Sequence, residues 1–156
     1  MAERLYAAYG SNLNVRQMMY RCPHAHIIGT SSVNRYRLLF KGSKTGSYLT
    51  IEKDGRSSVP VAIWGVDEYD ELALDRYEGF PVFYYKKEMK LPVTNLYTGE
   101  TTVETVFIYI MHEDRKIGVP SRDYMRTCLT GYNYFKFPTN KLITAYEYSR
   151  KKVNAY

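Results

Sequence analysis

Tyr9-Gly10-Ser11-Asn12-Leu13 is the stretch on which the reading of this chain turns. The apolar run that leads into it, Leu5-Tyr6-Ala7-Ala8-Tyr9, reads as a short buried strand. A helical pattern begins directly after it. Asn14 is placed to cap that helix, and Gln17, three residues on, supplies the other half of a capping box. Leu13 and Met18 have the spacing of a hydrophobic staple. The stretch is therefore a strand, a tight glycine-containing turn and a helix start. Free backbone N–H groups at such a turn, beside the positive end of a helix, suit a carboxylate or a phosphate. An ordinary capped strand-to-helix connection carries the same signals.

The 156 residues fit one domain with a single core. A hydrophobic content of 45% points to a globular fold rather than disorder. No apolar run approaches the roughly 20 residues that span a bilayer. Met1-Ala2-Glu3-Arg4 leads into a strand-like run rather than a signal peptide. A cytoplasmic protein without membrane association is expected. Cys22 and Cys128 show no CxxC pairing and are expected as free thiols. The net charge of +6 is spread along the chain, with one run at Arg150-Lys151-Lys152. No recognised motif organises that charge, so nucleic acid is not expected as a partner, while a modest positive field favours a small anionic substrate. The 17 tyrosines mostly fall in alternating strand patterns, which makes them sheet residues before base-stacking ones. His24 and His26 stand two apart, with His112 the third histidine. Zinc wants three or four ligands at workable spacing, and the sequence offers no such set. Surface or hydrogen-bonded histidines are expected, and no metal.

Pro23 stops the first helix, at about residues 14–21. Residues 33–41 and 48–51 read as strands on either side of a polar loop. Asp54-Gly55 is a strong two-residue hairpin signal, and residues 59–66 read as the returning strand, with Pro60 marking an edge or a strand start. A helix follows over about 67–77, capped by Asp67 and ended by Gly79, with Pro81 beyond. Residues 83–92 and 101–111 read as paired strands around a turn. Ser121 caps a third helix that Gly131 ends. The tail, 132–156, is an aromatic and basic C-terminal extension whose last part, from about Thr139, suits a short helix or strand. About six strands and three helices in mixed order argue an α+β fold with a curved antiparallel or mixed sheet. No repeat or linker divides the chain, so residues 1–156 read as one domain.

Glu78 is the carboxylate placed against electrostatic preference. It falls at the C-terminal, negative end of its helix, which disfavours ionisation. Desolvation by aromatic neighbours such as Tyr77, Phe80 and Phe83 would raise its pKa further. A raised carboxyl pKa is what a general base working near neutral pH requires. A frayed, exposed Glu before a capping glycine is the plain alternative. No P-loop, dinucleotide fingerprint or supported nucleophilic triad is present.

Tyr9-Gly10-Ser11-Asn12-Leu13 resembles the YGSNL signature of the γ-glutamylcyclotransferase-like superfamily, which includes the AIG2-like proteins. Leu74-Asp75-Arg76-Tyr77-Glu78-Gly79-Phe80-Pro81 is similar to that family's LD-x-x-EG-x-P segment, and Tyr84 and Tyr85 follow it. Val61-Ala62-Ile63-Trp64-Gly65-Val66 resembles the strand that precedes the helix bearing the catalytic Glu. Pro120-Ser121-Arg122-Asp123-Tyr124, with Gly131 after it, is similar to a later helix. The resemblance covers most of residues 5–131 and leaves out the tail from Tyr132. It implies a small mixed β-barrel with flanking helices. It also implies an enzyme that cyclises a γ-glutamyl amine or peptide to 5-oxoproline and releases the amine or amino acid, without a cofactor. On that resemblance Glu78 is the general acid/base. The loop Tyr9, Gly10, Ser11, Asn12 and Leu13 binds the glutamyl part, and Tyr84 or Tyr85, with Tyr124, completes the pocket. Nothing in the sequence selects among γ-glutamyl substrates or sets the oligomeric state. Two other readings stand beside this one: a non-catalytic binding protein for a small anionic metabolite, and a basic, tyrosine-rich nucleic-acid or interaction module.

Overall fold

The computed structural model describes residues 3–43 and 45–154. Among these residues the order is β1 (Arg4–Ala8), a 3-10 turn (Ser11–Leu13), α1 (Val15–Arg21), β2 (His26–Ser43), β3 (Gly46–Val66) and α2 (Glu68–Glu78). Then come β4 (Tyr84–Asn95), β5 (Thr101–Met111), β6 (Lys116–Ile117), α3 (Arg122–Tyr134) and α4 (Asn140–Val153). β3 pairs with β1, β1 with β5, β5 with β4, β4 with β2, and β2 returns to β3. These five strands close a small barrel, and β6 adds to β2 outside the ring. The β1–β5 pairing is parallel and the others are antiparallel. The fold is α+β, with a mixed barrel and flanking helices. No helix among the described residues is long and apolar enough to cross a membrane.

The expected hairpin at Asp54-Gly55 is not formed. β3 runs through it as one strand of 21 residues. Register with β2 passes from Asn34↔Ser58 to Tyr36↔Lys53, so Arg35, at φ 64°, faces the whole of 54–57. The turn chemistry is real, since Asp54 Oδ1 accepts from the Arg56 N–H at 3.0 Å. It is spent on a bulge, because both halves of β3 pair with the same neighbour and so keep Leu49, Ile51, Val59, Val61 and Ile63 in the core. The β2–β3 register runs on to its last pair, Ser43↔Gly46. Pro60 pairs only with β2, beyond the end of the β1 register at Ala62, which is the edge position a missing N–H tolerates.

Gly131 does not end α3, which continues to Tyr134. A Cβ there would stand 2.5 Å from the Leu13 carbonyl carbon and 2.7 Å from the Asn14 nitrogen. The glycine lets α3 press its backbone onto the 3-10 turn. The tail forms α4, which lays Leu142 and Ala145 against the same core.

The direction of α2 sets up the site. Val66 pairs with Arg4, the first residue of β1, so α2 starts at the end of the barrel where β1 begins. Its 11 residues rise about 16 Å and bring Glu78 back to the end where β1 delivers the 9–13 loop. Ion pairs pin the helix on the way. Glu71 meets Arg4 at 2.8 Å and Lys86 at 2.7 Å, and Asp75 meets Lys86 at 3.0 Å.

Candidate active site

Asn14 caps α1 as its sequence position requires, accepting from the Gln17 N–H at 3.1 Å. The reciprocal half of the capping box is replaced: Gln17 Oε1 accepts from Arg21 at 2.8 Å. Leu13 and Met18 are both fully buried. Within the turn, Leu13 and Asn14 donate to the Gly10 and Ser11 carbonyls, each at 3.0 Å. The N–H groups of Gly10, Ser11 and Asn12 have no partner among the described residues. Three main-chain donors are thus left together at the barrel mouth.

At the end of α2, Gly79 adopts the left-handed conformation, with φ 63°. Its N–H donates to the Arg76 carbonyl at 3.3 Å and the Phe80 N–H donates to Asp75 at 2.9 Å, the two bonds of a Schellman cap. The cap stops the helix one residue after Glu78. The Glu78 carboxylate has no hydrogen-bond partner among the described residues. Burial pushes its pKa up to about 8, and the Arg21 guanidinium opposes that rise.

Glu78 and the loop share a cavity of about 380 Å³. Of the residues expected at the site, Tyr9, Gly10, Ser11, Asn12, Tyr84 and Tyr124 line it with Glu78. Leu13 and Tyr85 do not. Leu13 turns into the core beneath α3. Tyr85 follows Tyr84 on a strand, so it points to the other face; there its hydroxyl donates to Glu113 at 2.6 Å and its ring packs against His112. Four further tyrosines join the lining, Tyr6, Tyr48, Tyr77 and Tyr109. Tyr6 and Tyr109 come from neighbouring parallel strands, so an alternation read within each strand finds them only once β1 is known to lie beside β5.

The tyrosines are fixed by main-chain bonds. Tyr9 Oη donates to the Tyr109 carbonyl at 2.6 Å. Tyr84 Oη donates to the Leu49 carbonyl at 2.7 Å, and Tyr124 Oη accepts from the Leu49 N–H at 3.0 Å. Tyr6 Oη accepts from Asn12 Nδ2 at 3.0 Å, which leaves its own proton to donate into the cavity. Burial first, and the Glu78 charge second, push Tyr6, Tyr9 and Tyr84 well above the usual phenol range. These hydroxyls stay protonated at neutral pH. Arg21 braces the arrangement from behind. It donates to Asn12 Oδ1 and lies over the Tyr77 ring, while Tyr77 Oη is 3.1 Å from Ser11 Oγ. The site therefore combines main-chain donors, a half-buried carboxyl titrating near 8 and a wall of neutral phenols.

The chain belongs to the family described as gamma-glutamyl cyclotransferase, AIG2-like, whose sequence profile matches residues 6–126. Among solved structures it is similar to one named gamma-glutamyl cyclotransferase, with a TM-score of 0.78 and 24% identity over 96% of this chain and 86% of the other. A human protein described as uncharacterized gives a TM-score of 0.76 at 24% identity, over 97% of this chain and 86% of the other. An AIG2-like protein from mouse gives 0.57 at 18% identity, over 80% and 84%. At these identities the likeness is one of fold. No match to a curated protein reaches significance.

Proposed function

We propose that this protein is a γ-glutamylcyclotransferase in which Glu78 moves the protons. The observation that carries the reading is the Glu78 carboxyl, raised to about 8 by burial and held in one cavity with the free N–H groups of Gly10, Ser11 and Asn12.

The substrate is a γ-glutamyl amine or peptide. Its carboxylate or its γ-carbonyl oxygen takes the main-chain donors of the loop. Glu78, ionised, accepts a proton from the α-ammonium. The freed amine nitrogen attacks the γ-carbonyl carbon of the same molecule, forming the C–N bond of a five-membered ring. Glu78 passes that proton to the γ-nitrogen and the old C–N bond breaks; the ring nitrogen then gives up its second proton, which the released amine carries away as an ammonium, leaving neutral-lactam 5-oxoproline. Nucleophile and electrophile arrive in one molecule, so the protein's work is to fold the substrate and to exchange protons. A carboxyl near 8 lies much closer to an aliphatic ammonium than one at the ordinary 4.5, which lowers the cost of taking that proton.

The test is 5-oxoproline release from a panel of γ-glutamyl amino acids, γ-glutamylamines and glutathione. Turnover of one class supports the reading and names the leaving group. Saturable binding of a γ-glutamyl compound without any 5-oxoproline would replace it with a binding protein built on the same pocket.

A further inference from the structure

At the end of α2 opposite Glu78, the segment after α1 meets the first turn of the helix. His24 Nδ1 lies 2.9 Å from Asp67 Oδ2. Asp67 Oδ1 caps α2, accepting from the Asp70 N–H at 2.8 Å. Asp70 itself is fully buried, and neither of its carboxylate oxygens has a hydrogen-bond partner among the described residues. The His24 backbone N–H faces this carboxylate without reaching hydrogen-bond geometry. A carboxylate taken out of water needs a compensating partner. One donor atom from each of His24, Asp67 and Asp70 can be taken so that all three lie within 4.8 Å of one another.

We propose that His24, Asp67 and Asp70 bind a divalent first-row metal ion of the zinc class. One imidazole nitrogen and two carboxylate oxygens are the donors such an ion takes; calcium and magnesium want oxygen alone, and copper(I) wants thiolate. Donors on a tetrahedral zinc stand roughly 3.3 Å apart, from bonds of about 2.0–2.1 Å, so atoms that lie within 4.8 Å of one another draw together by at most about 1.5 Å to hold an ion. His24 and Asp67 are solvent-accessible, which gives the ion its entry and water its remaining position. The positive end of the α2 dipole opposes a cation there, but Asp67, Glu68 and Asp70 in that turn outweigh it, Glu71 being already paired with Arg4 and Lys86. The ion supplies the partner the Asp70 oxygens lack. It also ties together two segments 43 residues apart in sequence. The sequence around His24 shows no ligand set because the carboxylates come from the start of α2.

The test is isothermal titration of ZnCl2 into the untagged, chelator-treated full chain, with thermal melting alongside. One equivalent binds, and a hundredfold excess over Kd raises the melting temperature by roughly 5–10 °C. His24→Ala and Asp70→Asn each weaken binding at least tenfold. His26→Ala, which removes the neighbouring histidine that pairs with Glu3 at 3.1 Å, leaves it unchanged. His24 is exposed, so its variant folds and decides the matter if Asp70→Asn does not. Absence of saturable binding below about 1 mM, binding that survives His24→Ala, or loss on His26→Ala alone would each overturn the proposal; a plain His24–Asp67 ion pair would then explain the contact.

Discussion

The Arg21 guanidinium stands 3.4 Å from the centroid of the Tyr77 ring, stacked over it. The same group donates to Asn12 and Gln17 and holds the Glu78 pKa below the level burial alone would set. Arg21→Gln removes both the charge and the brace. The acid limb of the pH–rate profile should then move to higher pH, because Glu78 ionises later, and KM should rise about tenfold. Arg21→Lys keeps a charge but loses the planar stack. It should restore the pH profile without restoring KM, which steady-state kinetics across pH separates.

Glu78 makes stability fall with rising pH. Its folded pKa, about 8, lies above the ordinary value of 4.5. Between those values the unfolded chain releases the proton and the folded chain keeps it. The group's contribution is whole below 4.5 and is lost by about pH 8, at no more than about 1.4 kcal/mol per pH unit. Glu78→Gln has no such loss. Its melting temperature should exceed that of the wild type by an increment that grows from pH 5 to pH 8 and then levels off. Calorimetry at several pH values checks the sign.

Gly131→Ala places a methyl group 2.5 Å from the Leu13 backbone and forces the 3-10 turn away from α3. Destabilisation of about 2–3 kcal/mol is expected, read as a drop of roughly 4–12 °C in melting temperature. Because the displaced turn carries Gly10, Ser11 and Asn12, KM should rise in the same variant.

Tyr84 and Tyr124 grip one residue, Leu49, through its carbonyl and its N–H. Tyr84→Phe and Tyr124→Phe should each lower stability by about 0.5–1.5 kcal/mol. As both bonds fix one peptide segment, the double variant should depart from additivity, which a double-mutant cycle in urea measures.

What the sequence makes legible here is local. The Tyr9–Leu13 turn, the Asn14 and Asp67 caps and the glycine behind Glu78 each depend on a few adjacent residues, and those residues dictate them. What stays hidden depends on neighbours brought in by the fold. Tyr6 and Tyr109 meet only because β1 lies parallel to β5. Tyr84 and Tyr85 are equivalent until register decides which of them faces inward. Asp54-Gly55 has the same chemistry in a hairpin as in a bulge, and the continued pairing with β2 selects the bulge. Gly131 reads equally as a helix end or as a close approach until α3 is seen against Leu13. The helix end and the aromatic neighbours of Glu78 point to a raised pKa, but the burial that produces it comes only with the closed barrel.

The most direct measurement is the rate of 5-oxoproline release by Glu78→Gln beside the wild type, on the best substrate of the panel and with folding verified by circular dichroism. The account predicts a loss in kcat of at least a hundredfold, with binding of the substrate retained. Turnover within a few-fold of the wild type would contradict it and would remove Glu78 from the proton-transfer role.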